Sequence, residues 1–192
     1  FKLKHSEKNK SFFIELDSHD LRLNIKNKLN YINKEINGKM DITFINDKKK
    51  IDFNLIDNSL TFQANDSEIT GDVSIKPFFL RSKLNFYQID LKKTFNNDSF
   101  LLNTLKSEIF NNENLNVNID LNAKNLTNID YLNDLKLKLN LDQGNITFSK
   151  SRIMWKDDLE INLKEGMLNY DQDEIFLIGK LIINANNINN FY

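Results

Sequence analysis

In "LNDLKLKLNLDQGNITF", residues 132–148, Leu135, Leu137, Leu139 and Leu141 alternate with Lys136, Lys138, Asn140 and Asp142. A β-strand turns successive side chains to opposite faces, so one face here is all leucine and the other all polar. Each large aliphatic side chain left in water forfeits roughly 1.5–3 kcal/mol. Such a row, repeated over many strands, needs an apolar cover. What supplies that cover decides both fold and function.

The alternation recurs along most of the chain. Leu21, Leu23 and Ile25 form one run; Ile51, Phe53 and Leu55 another; then Leu60, Phe62 and Ala64; then Ile69, Gly71, Val73 and Ile75 before Pro77. In the second half Leu115, Val117, Ile119, Leu121 and Ala123 oppose Asn116, Asn118, Asp120 and Asn122. Further runs follow at Ile146 and Phe148, Ile153 and Trp155, Leu159, Ile161 and Leu163, Leu168 and Tyr170, and Ile175, Leu177, Gly179, Leu181 and Ile183. These read as half-buried strands. Asp57-Asn58, Asn65-Asp66, Asp142-Gln143-Gly144, Lys156-Asp157-Asp158, Glu165-Gly166 and Asp171-Gln172-Asp173 supply turn chemistry between them. Short connections favour an antiparallel meander. Residues 28–38 are ambiguous, because Leu29, Ile32 and Ile36 have helical spacing while Asn37-Gly38 is a hairpin signal. One segment is helical: Leu101, Leu102, Leu105 and Ile109 predict a short helix over 98–110, with Asn97 or Asp98 as its N-cap. One such helix cannot cover the sheet.

Three covers remain open from pattern alone. The apolar face packs on its own kind in a closed sandwich or barrel. Alternatively it faces bilayer lipid in a transmembrane barrel, against which stand charged polar rows and strands often below the roughly 9–11 residues needed. Or the sheet is long, curved and open, and acyl chains lie on it.

Composition narrows the chemistry. Lys+Arg of 26 against Asp+Glu of 27 gives no basic excess, and the arginines are only Arg22, Arg81 and Arg152, so no nucleic-acid partner is expected. The mean hydropathy of -0.50 accompanies no apolar run long enough to span a bilayer as a helix. Without cysteine there are no disulfides or thiolate metal sites. His5 and His19 lack spaced ligand partners, and Asp171, Asp173 and Glu174 lack the calcium-loop pattern. No nucleophile constellation, P-loop or dinucleotide fingerprint is visible. Neither an enzyme, a metal nor a cofactor is expected. Lys136 and Lys138 read as a solvated outer face.

The second half resembles the C-terminal region of AsmA-like proteins of Gram-negative envelopes. The resemblance rests on "ENLNVNIDLNAKNL" and on the stretch from residue 132 to 192, with "ITGDVSIKPFFLRSKLNFYQIDL" upstream. A Gly-x-Ile-x-Phe strand (Gly144, Ile146, Phe148) leads to an aromatic-bearing strand (Trp155). A Leu-x-Gly-x-Leu strand follows (Leu177, Gly179, Leu181), and then the terminal Phe191-Tyr192. It covers roughly residues 60–192, on scaffold features alone. The resemblance implies a mainly β fold: a long curved antiparallel meander forming an apolar groove, polar outside. It implies a periplasmic protein anchored in the inner membrane, serving phospholipid transfer between membranes or outer-membrane assembly. Residues 1–192 are accordingly expected to be one elongated groove segment of a longer protein, with the anchor outside them. The expected acyl-chain contacts are Leu115, Val117, Ile119, Leu121, Leu135, Leu137, Leu139, Leu141, Ile146, Phe148, Trp155, Leu159, Ile161, Leu163, Leu177, Leu181 and Ile183. The expected ligand is a phospholipid acyl chain.

Overall fold

Alternating aliphatic and polar residues, with few helix formers in phase, give strands almost throughout. The structure, a computed structural model, describes residues 2–6, 11–18, 23–32, 35–44, 47–66, 68–94, 112–171 and 174–185. The chain divides into two units, Phe1–Leu80 and Arg81–Tyr192.

The first unit is an antiparallel meander of β1 (Lys2–Ser6), β2 (Ser11–Ser18), β3 (Leu23–Ile32), β4 (Glu35–Phe44), β5 (Asp47–Ile56), β6 (Ser59–Ala64) and β7 (Ile69–Ser74), paired in chain order. Asn37-Gly38 is not a turn. Both residues lie inside β4, where Gly38 pairs with Leu29 on one side and Phe53 on the other. A Cβ on Gly38 would overlap the tip of the Phe53 ring, so the glycine is a socket for that ring.

The second unit contains β8 (Phe79–Asp90, whose first two residues fall in the first unit), α1 (Leu91–Thr94), β9 (Asn116–Thr127), β10 (Leu132–Asp142), β11 (Asn145–Trp155), β12 (Leu159–Asp171) and β13 (Glu174–Ala185). From β9 to β13 every pairing is antiparallel and follows chain order. One neighbour departs from that rule. Asn122 Nδ2 donates to Asn85 Oδ1 (2.9 Å), Thr127 Oγ1 to the Ile89 carbonyl (3.4 Å) and Asn128 Nδ2 to Asp90 Oδ2 (2.8 Å). The partners advance together, so β8 runs parallel to β9. A parallel neighbour requires a long connection rather than a hairpin, and residues 91–115 separate the two strands in the sequence. The helix predicted over 98–110 lies outside the described residues.

Three residues inside consecutive strands have left-handed backbones: Asp134 (φ 41°), Lys150 (φ 51°) and Glu165 (φ 53°). Each marks a break in ladder register, in β10, β11 and β12 respectively. These are β-bulges, which bend a strand and raise its twist. Glu165-Gly166 is therefore a bulge within β12, not the turn its composition suggests. Opposite the Lys150 bulge the backbone amide of Lys138 donates to Ser151 Oγ (3.3 Å), which places a hydroxyl where the ladder is disturbed. The Gln143-Gly144 turn has both residues at positive φ, as a tight two-residue hairpin demands.

Within each unit the described strands form one open layer. No first-to-last pairing closes a barrel, and no second sheet lies on the first. The closed sandwich or barrel left open by the sequence is thus not the fold. Among the described residues, buried apolar side chains are few: Ala64 in the first unit, and Val117, Ala123, Leu126, Leu141 and Ile146 in the second.

Candidate functional site

The register assembles the aliphatic residues of the second unit into rows across the strands. Val117 pairs with Leu141, Leu141 with Ile146, Ile146 with Leu168, and Leu168 with Leu177. Ile119 pairs with Leu139, which pairs with Phe148, opposite Gly166. Leu121 pairs with Leu137, and Ala123 with Leu135. Beyond the Lys150 bulge, Ser151, Leu163 and Leu181 align, as do Ile153, Ile161 and Ile183. Leu132, Trp155 and Leu159 close the series at one strand end. Leu115 precedes β9 and is half-buried, its amide donating to the Asn112 carbonyl at 3.0 Å. Every residue expected from the sequence to contact a ligand lies in or beside these rows.

Accessibility varies along the rows. Val117, Leu141 and Ile146 are buried, and the central residues from Ile119 to Leu163 are largely half-buried. On β13 the large aliphatics stand in the open: Leu177 is 56 % exposed, Leu181 65 % and Ile183 62 %. Gly166 and Gly179 make room for Leu163, which lies across both. A Cβ on either glycine would come within 2.7 Å of a Leu163 methyl.

The opposite face carries paired charges and, on β12 and β13, the exposed side chains of Met167, Phe176 and Ile178. Arg152 bridges Asp134 (2.6 Å) and Glu160 (3.0 Å), and Lys138 faces Asp120 at 3.8 Å. The Asn162 amide donates to Glu160 at 2.7 Å, and with Arg152 it holds that carboxyl below the usual carboxylate range. A depression of about 680 Å³ lies among Asn85, Tyr87, Asn122, Lys124, Asn133 and Asp157. Its carboxylate Asp157 accepts from Asn133 at 2.7 Å. Nothing in it pairs a nucleophile with a base.

The first unit repeats the arrangement, and the sequence did not mark it as a site. Ile36, Leu55, Leu60 and Val73 align across four strands, and Met40, Ile51 and Ala64 across three. On β2, Phe12 and Leu16 pair with Leu29 and Ile25. The period-2 spacing of Phe12, Ile14 and Leu16 is the signal that reveals β2. Lys49 pairs with Ile42, in line with the apolar positions. Its ammonium is drawn to the carboxylates of Asp66 (2.6 Å) and Glu68. These hydrogen bonds raise the Lys49 pKa, and the Lys49 bond, with help from the Glu68 amide, lowers that of Asp66.

Among the described residues no cluster of His, Asp or Glu could hold a metal, and no helix is long and apolar enough to cross a membrane. Fold and face together define an open, chiefly antiparallel β-meander, with accessible aliphatic rows on one side and, on the other, paired charges beside exposed Met167, Phe176 and Ile178. No family model matches the chain, and no curated protein or solved structure shows significant similarity to it.

Proposed function

We propose that this chain is a non-enzymatic, AsmA-like β-groove module that binds phospholipid acyl chains. In this reading it belongs to a periplasmic protein of a Gram-negative envelope, held in the inner membrane by an anchor outside these residues. It serves phospholipid transfer between the inner and outer membranes or outer-membrane assembly. The supporting observation is the set of register-aligned aliphatic rows in an open single layer, three of whose β13 members are more than half exposed. Contiguous exposed apolar surface of this kind marks an interaction site. A partly solvated row suits a tail that must move, because an acyl chain gains hydrophobic free energy without directional bonds. The motif resemblance at Gly144, Ile146, Phe148, Trp155, Leu177, Gly179 and Leu181 supports the same assignment.

The module performs no bond chemistry. It lowers the free energy of an acyl chain in water while the headgroup stays solvated. The test is native mass spectrometry with lipid extraction on protein purified from cells in mild detergent. Phospholipid that co-purifies and survives detergent exchange is the expected result. Protein that carries no lipid, and takes none from vesicles of phosphatidylethanolamine and phosphatidylglycerol, would refute the proposal.

A further inference from the structure

The two ends of the β10–β11 pair are unlike one another. Its hairpin, Asp142–Asn145, carries neither an aromatic ring nor a cation. At the opposite strand ends, Tyr131 and Trp155 stack with ring centroids 5.6 Å apart and planes at 13°. Both rings remain accessible, Tyr131 at 52 % and Trp155 at 38 %. Lys156 Nζ sits 5.0 Å from the centre of the Tyr131 ring.

The backbone fixes this group. The Lys156 amide donates to the Tyr131 carbonyl (2.8 Å), and the Asp158 amide to the Trp155 carbonyl (3.1 Å). Lys156 and Asp157 both adopt left-handed conformations in that turn. Trp155 is also an aromatic member of the apolar rows, paired with Leu132 and Leu159. The rows therefore run directly into a pair of amphipathic rings beside the exposed Lys156, and Asp130, also exposed, immediately precedes Tyr131 in its turn.

Tyrosine and tryptophan favour the boundary between hydrocarbon and water, where ring bodies are covered and O–H and N–H groups stay wet. A lysine beside them keeps its ammonium in water while its stem lies on apolar surface. Building on the acyl-chain reading, we propose that Tyr131, Trp155 and Lys156 form the headgroup subsite of the groove. A zwitterionic phospholipid would lie with its ester and glycerol region against the two rings. Its phosphate would meet Lys156 and its ammonium would lie towards Asp130. The presence of both charge signs at this end favours a zwitterionic headgroup over a purely anionic one.

Trp155 is the sole tryptophan, so its fluorescence reports this place alone. The full chain is titrated with short-chain monomeric phosphatidylethanolamine brominated either next to the ester or at the chain end. Stronger quenching of Trp155 by the ester-proximal bromine is expected. Equal quenching, or stronger quenching from the chain end, would overturn the subsite while leaving acyl binding intact. In Lys156→Ala, affinity for phosphatidylethanolamine should fall about two- to fivefold, the range for an exposed ion pair. Affinity for a fatty alcohol of equal chain length should hold. An unchanged phosphatidylethanolamine affinity, or an equal loss for both probes, would count against it. Failure of every probe to bind wild-type protein would remove the acyl-chain reading as well.

Discussion

Replacing Leu181 and Ile183 with aspartate separates a lipid-binding row from a protein core. The two side chains are 65 % and 62 % exposed, so little of the folded chain depends on them. Complete burial of such a residue is worth roughly 1.5–3 kcal/mol, and about two thirds of that, ~1–2 kcal/mol each, remains to be gained from a ligand. The double variant should forfeit about 2–4 kcal/mol of lipid binding, or about 30- to 700-fold in affinity. Its folding stability should fall by less than about 2 kcal/mol, since exposed substitutions are mild and aspartate's poor strand propensity adds about 1 kcal/mol at most. Leu141→Asp is the contrast. Leu141 is 2 % exposed, and a carboxylate there would lose its water, so this variant should be the one that unfolds. Urea denaturation followed by circular dichroism reads stability, and displacement of a fluorescent fatty-acid analogue reads affinity. If Leu181→Asp/Ile183→Asp unfolds as readily as Leu141→Asp, those residues are core. If it folds and binds unchanged, the β13 aliphatics do not contact the ligand.

Other consequences follow from local packing and charge. Gly166→Ala places a methyl 2.7 Å from a Leu163 methyl carbon and 3.0 Å from Phe148 Cβ, so urea unfolding should show a loss of about 1–3 kcal/mol, partly restored by Leu163→Ala. Asp66 has a lowered pKa in the fold, so its contribution is present above the ordinary carboxylate range and is lost as pH falls through the depressed value. Lys49 has a raised pKa, so its contribution is complete below the ordinary lysine range and is lost as pH rises through the elevated value. Stability should therefore plateau between these limits, and Lys49→Met should flatten both flanks of a pH–stability curve. Arg152→Ala removes the bridge from Asp134 to Glu160 and should lower the urea midpoint less than Gly166→Ala does, and its own effect should shrink further at high salt.

The strands were legible wherever alternation was long, as in 115–123 and 135–141, because period 2 together with burial on one face admits no other regular structure. The bulges were written there as well, as phase changes. Ile146 and Phe148 occupy even positions, whereas Ile153 and Trp155 occupy odd ones. Leu159, Ile161 and Leu163 are odd and Leu168 is even. Each slip marks an extra residue, Lys150 in one strand and Glu165 in the other. Read as composition, Glu165-Gly166 suggests a turn and divides one strand into two. Asn37-Gly38 misleads for another reason, since a hairpin signal is local while the demand for a glycine comes from Phe53 on the neighbouring strand. The parallel placement of β8 beside β9 leaves no trace in either strand's pattern, because alternation does not encode direction. The rows were foreseeable as apolar positions, but their exposure on β13 depends on the sheet remaining a single layer and on β13 being the last strand among the described residues. No single strand carries that information.

Whether acyl chains rather than protein cover the aliphatic rows, as proposed, can be read most directly by site-specific photocrosslinking in living cells. A photoreactive phenylalanine analogue at position 183 should yield, on irradiation, adducts whose mass and phosphorus content identify phospholipid. Adducts composed only of protein, with no lipid recovered, would show that protein covers the rows and would refute acyl-chain binding there.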